Sequence, residues 1–180
     1  MKRMRERKPL NTADLRQITL TYVGRFATSQ SKLASYLMRK IRERGWEDGV
    51  SADLAVTQLV ADMARARFVD DRAYAEMKAQ GLARRGYGAR RVRHALDSAG
   101  IAPDIRADLT EMSPEDAEAA ALAYARRRRL GPFSSQPQDQ RQRERALAAL
   151  LRAGHDYATA RRILDLAPEL GHNSESEADS

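Results

Sequence analysis

The sequence predicts an all-α protein, an elongated array of three tandem three-helix repeats. Three observations predict it. Apolar residues recur at helical spacing, whereas alternating, strand-like runs are almost absent. Proline, glycine and serine cut the chain into short segments. One local pattern also returns three times, in LMRKIRERGW (37–46), VRHALDSAGI (92–101) and ALAALLRAGH (146–155). Each has an apolar or small residue two turns before a glycine and an aliphatic one a turn before it: Leu37, Ile41 and Gly45; Val92, Leu96 and Gly100; Ala146, Leu150 and Gly154. The glycines are nearly evenly spaced, and helical segments flank each stretch. Short amphipathic helices of this kind cannot bury their apolar faces alone and stack on their neighbours.

The elements follow in order. Residues 1–13 form a basic arm, expected to be mobile, that carries Arg3, Arg5 and Arg7. The first repeat spans 14–69; its last helix, 51–67, places Val56, Leu59, Val60 and Met63 on one face. The second repeat spans 70–112. Asp70 is a natural N-cap for the helix that follows, and Val69 and Tyr74 occupy the two positions of a hydrophobic staple. Gly88 opens the next helix and Gly100 closes it in a left-handed cap. A third helix, 103–112, turns Ile105, Leu109 and Met112 to one side. The third repeat, 113–166, starts on a capping serine, Ser113, with Pro114 at the first helical position and Asp116 behind it. Leu147, Leu150, Leu151 and Gly154 share a face, and a last helix runs over 156–166. Residues 167–180 carry Glu169, Glu175, Glu177 and Asp179 and no basic residue, which predicts a disordered acidic tail.

Composition narrows the function classes. Of the 180 residues 32% are charged and only 6% aromatic, so the core rests on aliphatic residues and alanine. The formal net charge is +7, and the basic side is almost all arginine. Arginine grips phosphates and carboxylates in a bidentate manner, which suits a polyanion or an acidic protein surface. The absence of cysteine excludes disulfides, thiolate catalysis and zinc–cysteine sites. The basic start lacks the apolar stretch of a signal peptide, and no apolar run reaches the length of a membrane span. The expectation is a soluble, cytoplasmic monomer without membrane contact.

No catalytic constellation emerges. Asp70 and Asp71 could ligate a metal only with further carboxylates or a phosphate nearby; capping accounts for Asp70 and compensation of the helix dipole for Asp71. His94, His155 and His172 share no ligand spacing. RRGYGARR (84–91) lacks the lysine and the preceding strand of a phosphate loop, so Gly86 and Gly88 are read as a tight connection between helices. Arg84, Arg85, Arg90, Arg91 and Arg93 crowd that turn and are assigned a contact role, with Tyr87 exposed between its glycines. The run Arg126–Arg129 winds round a whole helical turn, which brings Arg127 and Arg128 in as further contact candidates and requires at least one stem to face neighbouring helices. Tyr22, Tyr74 and Tyr124 are core candidates.

The stretch FVDDRAYAEMKAQGLARRGYGARRVRHALDSAGI closely resembles the central signature of the RecX family of recombinase regulators. The signature elements are Val69, Asp70, Asp71, Tyr74, Ala75, Arg85, Gly86, Gly88, Arg90, Arg91, Val92, Leu96, Gly100 and Ile101. The closing pattern of the family is met by Arg152, Gly154, His155, Tyr157 and Ala160. The likeness covers about 14–166. It departs most in the first repeat, where Trp46 follows Gly45 and an extra Glu-Asp-Gly-Val precedes Ser51.

The resemblance implies an elongated, curved array that binds the RecA recombinase filament on DNA. It also implies inhibition of the filament's recombinase, ATPase and coprotease activities in DNA repair and the SOS response. It implies neither an enzyme nor a cofactor. Single-stranded DNA is expected as a second partner, bound weakly. The alternative reading is a sequence-nonspecific or helix-turn-helix DNA-binding protein with 88–99 as recognition helix; the scarcity of Gln and Asn there speaks against it.

Overall fold

The computed structural model describes residues 8–135 and 139–167, so the predicted arm and tail fall largely outside the described residues. Nine α-helices lie among the described residues: α1 (Thr12–Val23), α2 (Gln30–Arg44), α3 (Ala52–Arg65), α4 (Asp71–Ala83), α5 (Ala89–Asp97), α6 (Pro103–Asp108), α7 (Pro114–Arg128), α8 (Gln140–Arg152) and α9 (Tyr157–Leu164). A single 3₁₀ turn, Gly131–Phe133, follows α7. No strand forms among these residues; Leu10 and Trp46 make one isolated parallel bridge. The fold is an all-α helical repeat.

The capping residues read from the sequence are in place. Asp70 Oδ1 accepts the Ala73 N–H at 3.0 Å, and Ser113 Oγ accepts that of Asp116 at 3.1 Å. Val69 and Tyr74 are both buried. Gly45, Gly100 and Gly154 share a positive φ of 87°, 68° and 94°. The apolar pairs before them, Leu37 with Ile41, Val92 with Leu96 and Ala146 with Leu150, are all buried. One expectation fails: α6 stops at Asp108, so Met112 lies beyond it, and Ile105, Leu109 and Met112 are only half-buried. At six residues this helix is too short to carry a full apolar face.

The chain divides into two compact units. The first comprises the described part of Met1–Ala79 together with Arg93–Leu109. Its core is Leu10, Leu15, Leu33, Leu37, Ile41, Val56, Leu59, Val60, Met63 and Val69. Full burial of each leucine contributes roughly 1.5–3 kcal/mol. The extra Glu-Asp-Gly-Val of this unit has a structural use. Asp48 Oδ2 accepts from Thr12 N and Oγ1, at 2.9 and 2.5 Å, and so caps α1 from outside. These bonds hold the Asp48 carboxyl below the usual carboxylate range. Trp46 Nε1 donates to Val50 O at 2.8 Å.

Three signature residues of this unit meet at the start of α2. Asp71 does more than compensate a dipole: its Oδ1 accepts the Gln30 N–H at 2.8 Å. Ser29, the N-cap of α2, donates its hydroxyl to Ala99 O at 2.5 Å. Lys32 stands 5.5 Å from the ring centre of Tyr74. A side chain at Gly100 would run into Ser31. Asp71 and Ala99 therefore fasten the start of α2 from chain that lies 41 and 70 residues away, with Tyr74 and Gly100 packed beside them.

The second unit comprises Gln80–Val92 and the described part of Thr110–Ser180. Ala121, Tyr124, Ala125, Ala146, Leu150, Ala153, Ala160, Ile163 and Leu164 form its core. Alanine lines much of this core, which lets the backbones of α7, α8 and α9 approach closely.

Candidate functional site

The site begins with two glycines of the second unit. After α4 the chain turns at Gly86, whose φ is +72°. A Cβ there would stand 2.5 Å from Tyr124 N and 2.8 Å from Ala120 O, so this turn lies directly on the backbone of α7. Two residues on, Gly88 N donates to Ala153 O at 3.0 Å, and Arg90 N donates to Gly154 O at 3.3 Å. His155 closes the arrangement: its Nε2 lies 3.0 Å from Gly86 O. A carbonyl can only accept, so Nε2 carries a proton. The imidazole is buried, and that desolvation pushes its pKa below the ordinary 6.5. The Gly-Tyr-Gly break thus docks 80–92 onto α7 and onto the turn between α8 and α9, besides joining α4 to α5.

Tyr87 corrects the reading of the sequence. It is half-buried rather than exposed, with its ring centre 5.7 Å from that of Tyr124. Three guanidinium groups surround it. Arg85, Arg127 and Arg91 have their Cζ atoms 5.5, 5.6 and 6.0 Å from the ring centre, and Arg127 lies also 5.5 Å from Tyr124. The negative ring face attracts each cation, and gathering three cations round one ring limits their freedom. Groups already oriented lose less entropy when a ligand arrives. Arg85 is further fixed by its Nε donating to Gly81 O at 3.0 Å.

Arg84, Arg90 and Arg128 are exposed and make no ring contact. Among the described residues no carboxylate lies within ion-pairing distance of Arg84, Arg85, Arg90, Arg91, Arg127 or Arg128. Other arginines of the unit do have one: Arg143 pairs with Asp165 and Arg162 with Glu118. The described residues of this unit carry fourteen arginines against eight acids, so the unpaired groups stand in a positive field. Arg126, exposed like the rest of the four-arginine run, packs its guanidinium 5.0 Å from the Phe133 ring. Arg93 is exposed on α5 within the other unit.

The remaining candidates are accounted for. Asp70 and Asp71 accept backbone N–H groups, Gly86 and Gly88 make the docking turn, and Tyr74 and Gly100 pack beside the start of α2. Among the described residues no group of three or more histidines and carboxylates is placed to hold a metal. No described helix is long and apolar enough to cross a membrane. His94 is exposed, and His172 lies outside the described residues. The sequence places His155 in the closing pattern but gives no sign of its bond to Gly86 or of the contact between Tyr87 and Tyr124. The one available signal was the place of His155 after a repeat glycine, where Trp46 and Ile101 stand in the other two copies.

The fold and site define an all-α helical-repeat protein with an exposed arginine cluster built round a tyrosine. The family model for the second three-helix domain of RecX matches residues 70–108. The regulatory protein RecX of Myxococcus xanthus is 37% identical over 164 residues, which cover 86% of each chain. That of Agrobacterium fabrum is 25% identical over 151 residues, 83% of this chain and 81% of its own. The chain belongs to the RecX family of regulatory proteins. Two solved structures share the fold. A crystal structure of regulatory protein RecX superposes with a TM-score of 0.63 at 21% identity, covering 86% of this chain and 74% of its own. RecX from Lactobacillus salivarius superposes at 0.57 and 15%, covering 85% and 94%.

Proposed function

We propose that this protein binds the RecA recombinase filament assembled on single-stranded DNA and inhibits its recombinase, ATPase and coprotease activities. It would act in DNA repair and the SOS response, as a cytoplasmic monomer made of three tandem repeats at 14–69, 70–112 and 113–166. One observation carries the reading: six exposed arginines without acidic partners among the described residues, three of them gathered round Tyr87. Such groups suit a partner that presents both carboxylates and phosphates, as a filament of protein on DNA does. Membership of a family whose named relatives are regulatory proteins supports a regulator.

The test is a pull-down with filament on single-stranded DNA, compared with recombinase alone and with DNA alone, followed by titration of ATP hydrolysis and repressor cleavage. Retention by the filament above either component, with inhibition of both reactions, is the expected result. Retention by DNA alone, with a footprint at a defined sequence, would replace this reading with that of a DNA-binding regulator.

A further inference from the structure

We propose that the α1–α2 corner of the first unit is a stacking site for an unpaired nucleobase, with Phe26 as the ring that meets the base and Arg25 beside it for the adjoining phosphate. The site shares no residue with the arginine cluster of the second unit, and the inference does not rest on the role proposed for that cluster.

Three observations carry it. First, Phe26 is 57% exposed and yet fixed in place. The Arg25 and Phe26 N–H groups both donate to Tyr22 O, at 3.0 Å each, and Thr28 and Ser29 behind them are buried. An aromatic ring held open by its own backbone loses little freedom when a flat partner arrives. Second, the ring is not alone. The Phe26 and Tyr22 rings have their centres 5.3 Å apart, and Tyr22 stacks on Tyr36 at 4.1 Å with the ring planes 18° apart. The two tyrosines pack against the core of the unit, which accounts for them, whereas Phe26 ends the row in solvent. Third, the surroundings are cationic. Arg39 and Lys40 lie 5.5 and 5.7 Å from the Tyr36 ring centre, where Glu43 also holds them. Between residues 12 and 44 the chain has seven lysines and arginines against Asp14 and Glu43. No carboxylate among the described residues pairs with Arg25. An apolar side chain of a protein partner would cover the ring and leave this positive field unanswered. A single nucleic-acid strand offers a π face and a phosphate in every residue, and aromatic rings among cations hold such strands without regard to sequence. A duplex keeps its bases stacked on one another, so the site favours the single strand.

The full chain is tested with a fluorescent oligothymidylate and with an abasic strand of the same length, which keeps the phosphates and lacks the bases. Phe26→Ala should bind oligothymidylate about tenfold more weakly than the parent, a step within the worth of one base–aromatic stack. It should bind the abasic strand as the parent does. Its dependence of log affinity on log salt should not change, whereas Arg25→Gln should flatten that slope by about 0.7. Phe26→Trp places a reporter in the row. Its fluorescence above that of Trp46, the one native tryptophan, should be quenched by oligothymidylate and not by the abasic strand. Circular dichroism checks the fold of each variant, and Phe26→Trp, which keeps a ring, remains the readout if Phe26→Ala is unstable. Equal affinities of parent and Phe26→Ala for oligothymidylate, an equal loss on both strands, or an unquenched Phe26→Trp would each overturn the proposal. So would loss of filament retention in Phe26→Ala with oligothymidylate binding unchanged, which would assign the ring to a protein surface. Filament inhibition is measured separately. Its absence from the parent would defeat the regulatory reading and leave the stacking site standing.

Discussion

Gly88 and Gly154 meet backbone to backbone: a Cβ on Gly88 would stand 2.5 Å from the carbonyl oxygen of Gly154. Gly154 is crowded from the same segment, for a Cβ on it would lie 2.6 Å from Arg91 Cβ, and its φ is +94°. Neither neighbour can move away, because the obstruction on each side is backbone or the root of a side chain. Gly154→Ala should therefore destabilise the protein by about 3 kcal/mol, combining a left-handed conformation with overpacking. Gly49→Ala, at a site with open space around it, is the control and should change little. Urea unfolding of the two variants checks this; equal midpoints would mean that the segment 80–92 is not docked as described.

The two signature aspartates should differ in worth. Asp70 caps its own helix from an exposed position, so Asp70→Ala should cost about 1 kcal/mol. Asp71 binds the backbone of a different helix at a part-buried place, so Asp71→Ala should cost about 2 kcal/mol. Neither change should remove filament binding once the protein is folded. Chemical denaturation beside a pull-down measures both.

Stability should fall as pH drops below neutrality. Above pH 6.5 His155 is neutral in both folded and unfolded chains. Below it the unfolded chain takes up a proton that the buried imidazole refuses, until the lower folded pKa is reached. The loss is therefore spread between about 6.5, the ordinary histidine value, and the folded pKa beneath it. A second decline belongs to Asp48 and Asp156, whose carboxyls are held low by bonds to Thr12 and Thr159; it sets in as pH falls below their ordinary 3.8. In His155→Gln the first decline should vanish and the second remain. Thermal melts from pH 7.5 to 3 decide the matter.

Charge reversal at Arg84, Arg85, Arg90 and Arg91 together, each to glutamate, should abolish inhibition of recombinase ATP hydrolysis and of repressor cleavage. Helicity should survive, since these side chains are exposed and have no acidic partner among the described residues. Glutamine at the same positions should harm less, because it removes a contact without adding repulsion. Circular dichroism on the titrated samples is the check. Inhibition equal to that of the parent would move the contact surface to another face.

Binding to single-stranded DNA should be weak and should separate charge from orientation. Each arginine changed to glutamine should flatten the dependence of log affinity on log salt by about 0.7. Tyr87→Leu keeps every charge. It should lower affinity roughly threefold by freeing three guanidinium groups, at about the worth of one exposed cation–π contact, and leave the slope unchanged. A Tyr87→Leu slope that flattens like an arginine variant would mean the ring orients nothing.

What could be read from sequence was what short range decides. Asp70, Ser113 and the positive-φ glycines act within one turn of their own helices, so type and spacing announced them. Partners across the fold left no such trace. Nothing near Asp71 in the chain points to Gln30, and nothing near Gly88 points to Ala153 and Gly154. Tyr87 was read as exposed because glycines flank it. Those same glycines remove the side chains that would have held the turn away from α7, which is why the ring is half-buried. The arginine cluster was legible as composition, but its focus on one ring was not.

Both compact units are discontinuous along the chain. The second needs Gln80–Val92, which a ribosome delivers early, and helices that end only at Leu164. Until those helices emerge, Gly86 and Gly88 have nothing to dock on, and the arginines beside them are exposed in an unfinished structure. Folding of that unit therefore waits for nearly the whole chain, and its pace is set by long-range closure rather than by helix formation. The same geometry bears on dissection. A fragment cut at the boundaries of the matched domain, 70–108, would keep the turn at Gly86 and Gly88 and lose α7 and the α8–α9 turn that receive it. Useful truncations are those that remove an end and leave every segment between Leu10 and Leu164 in place.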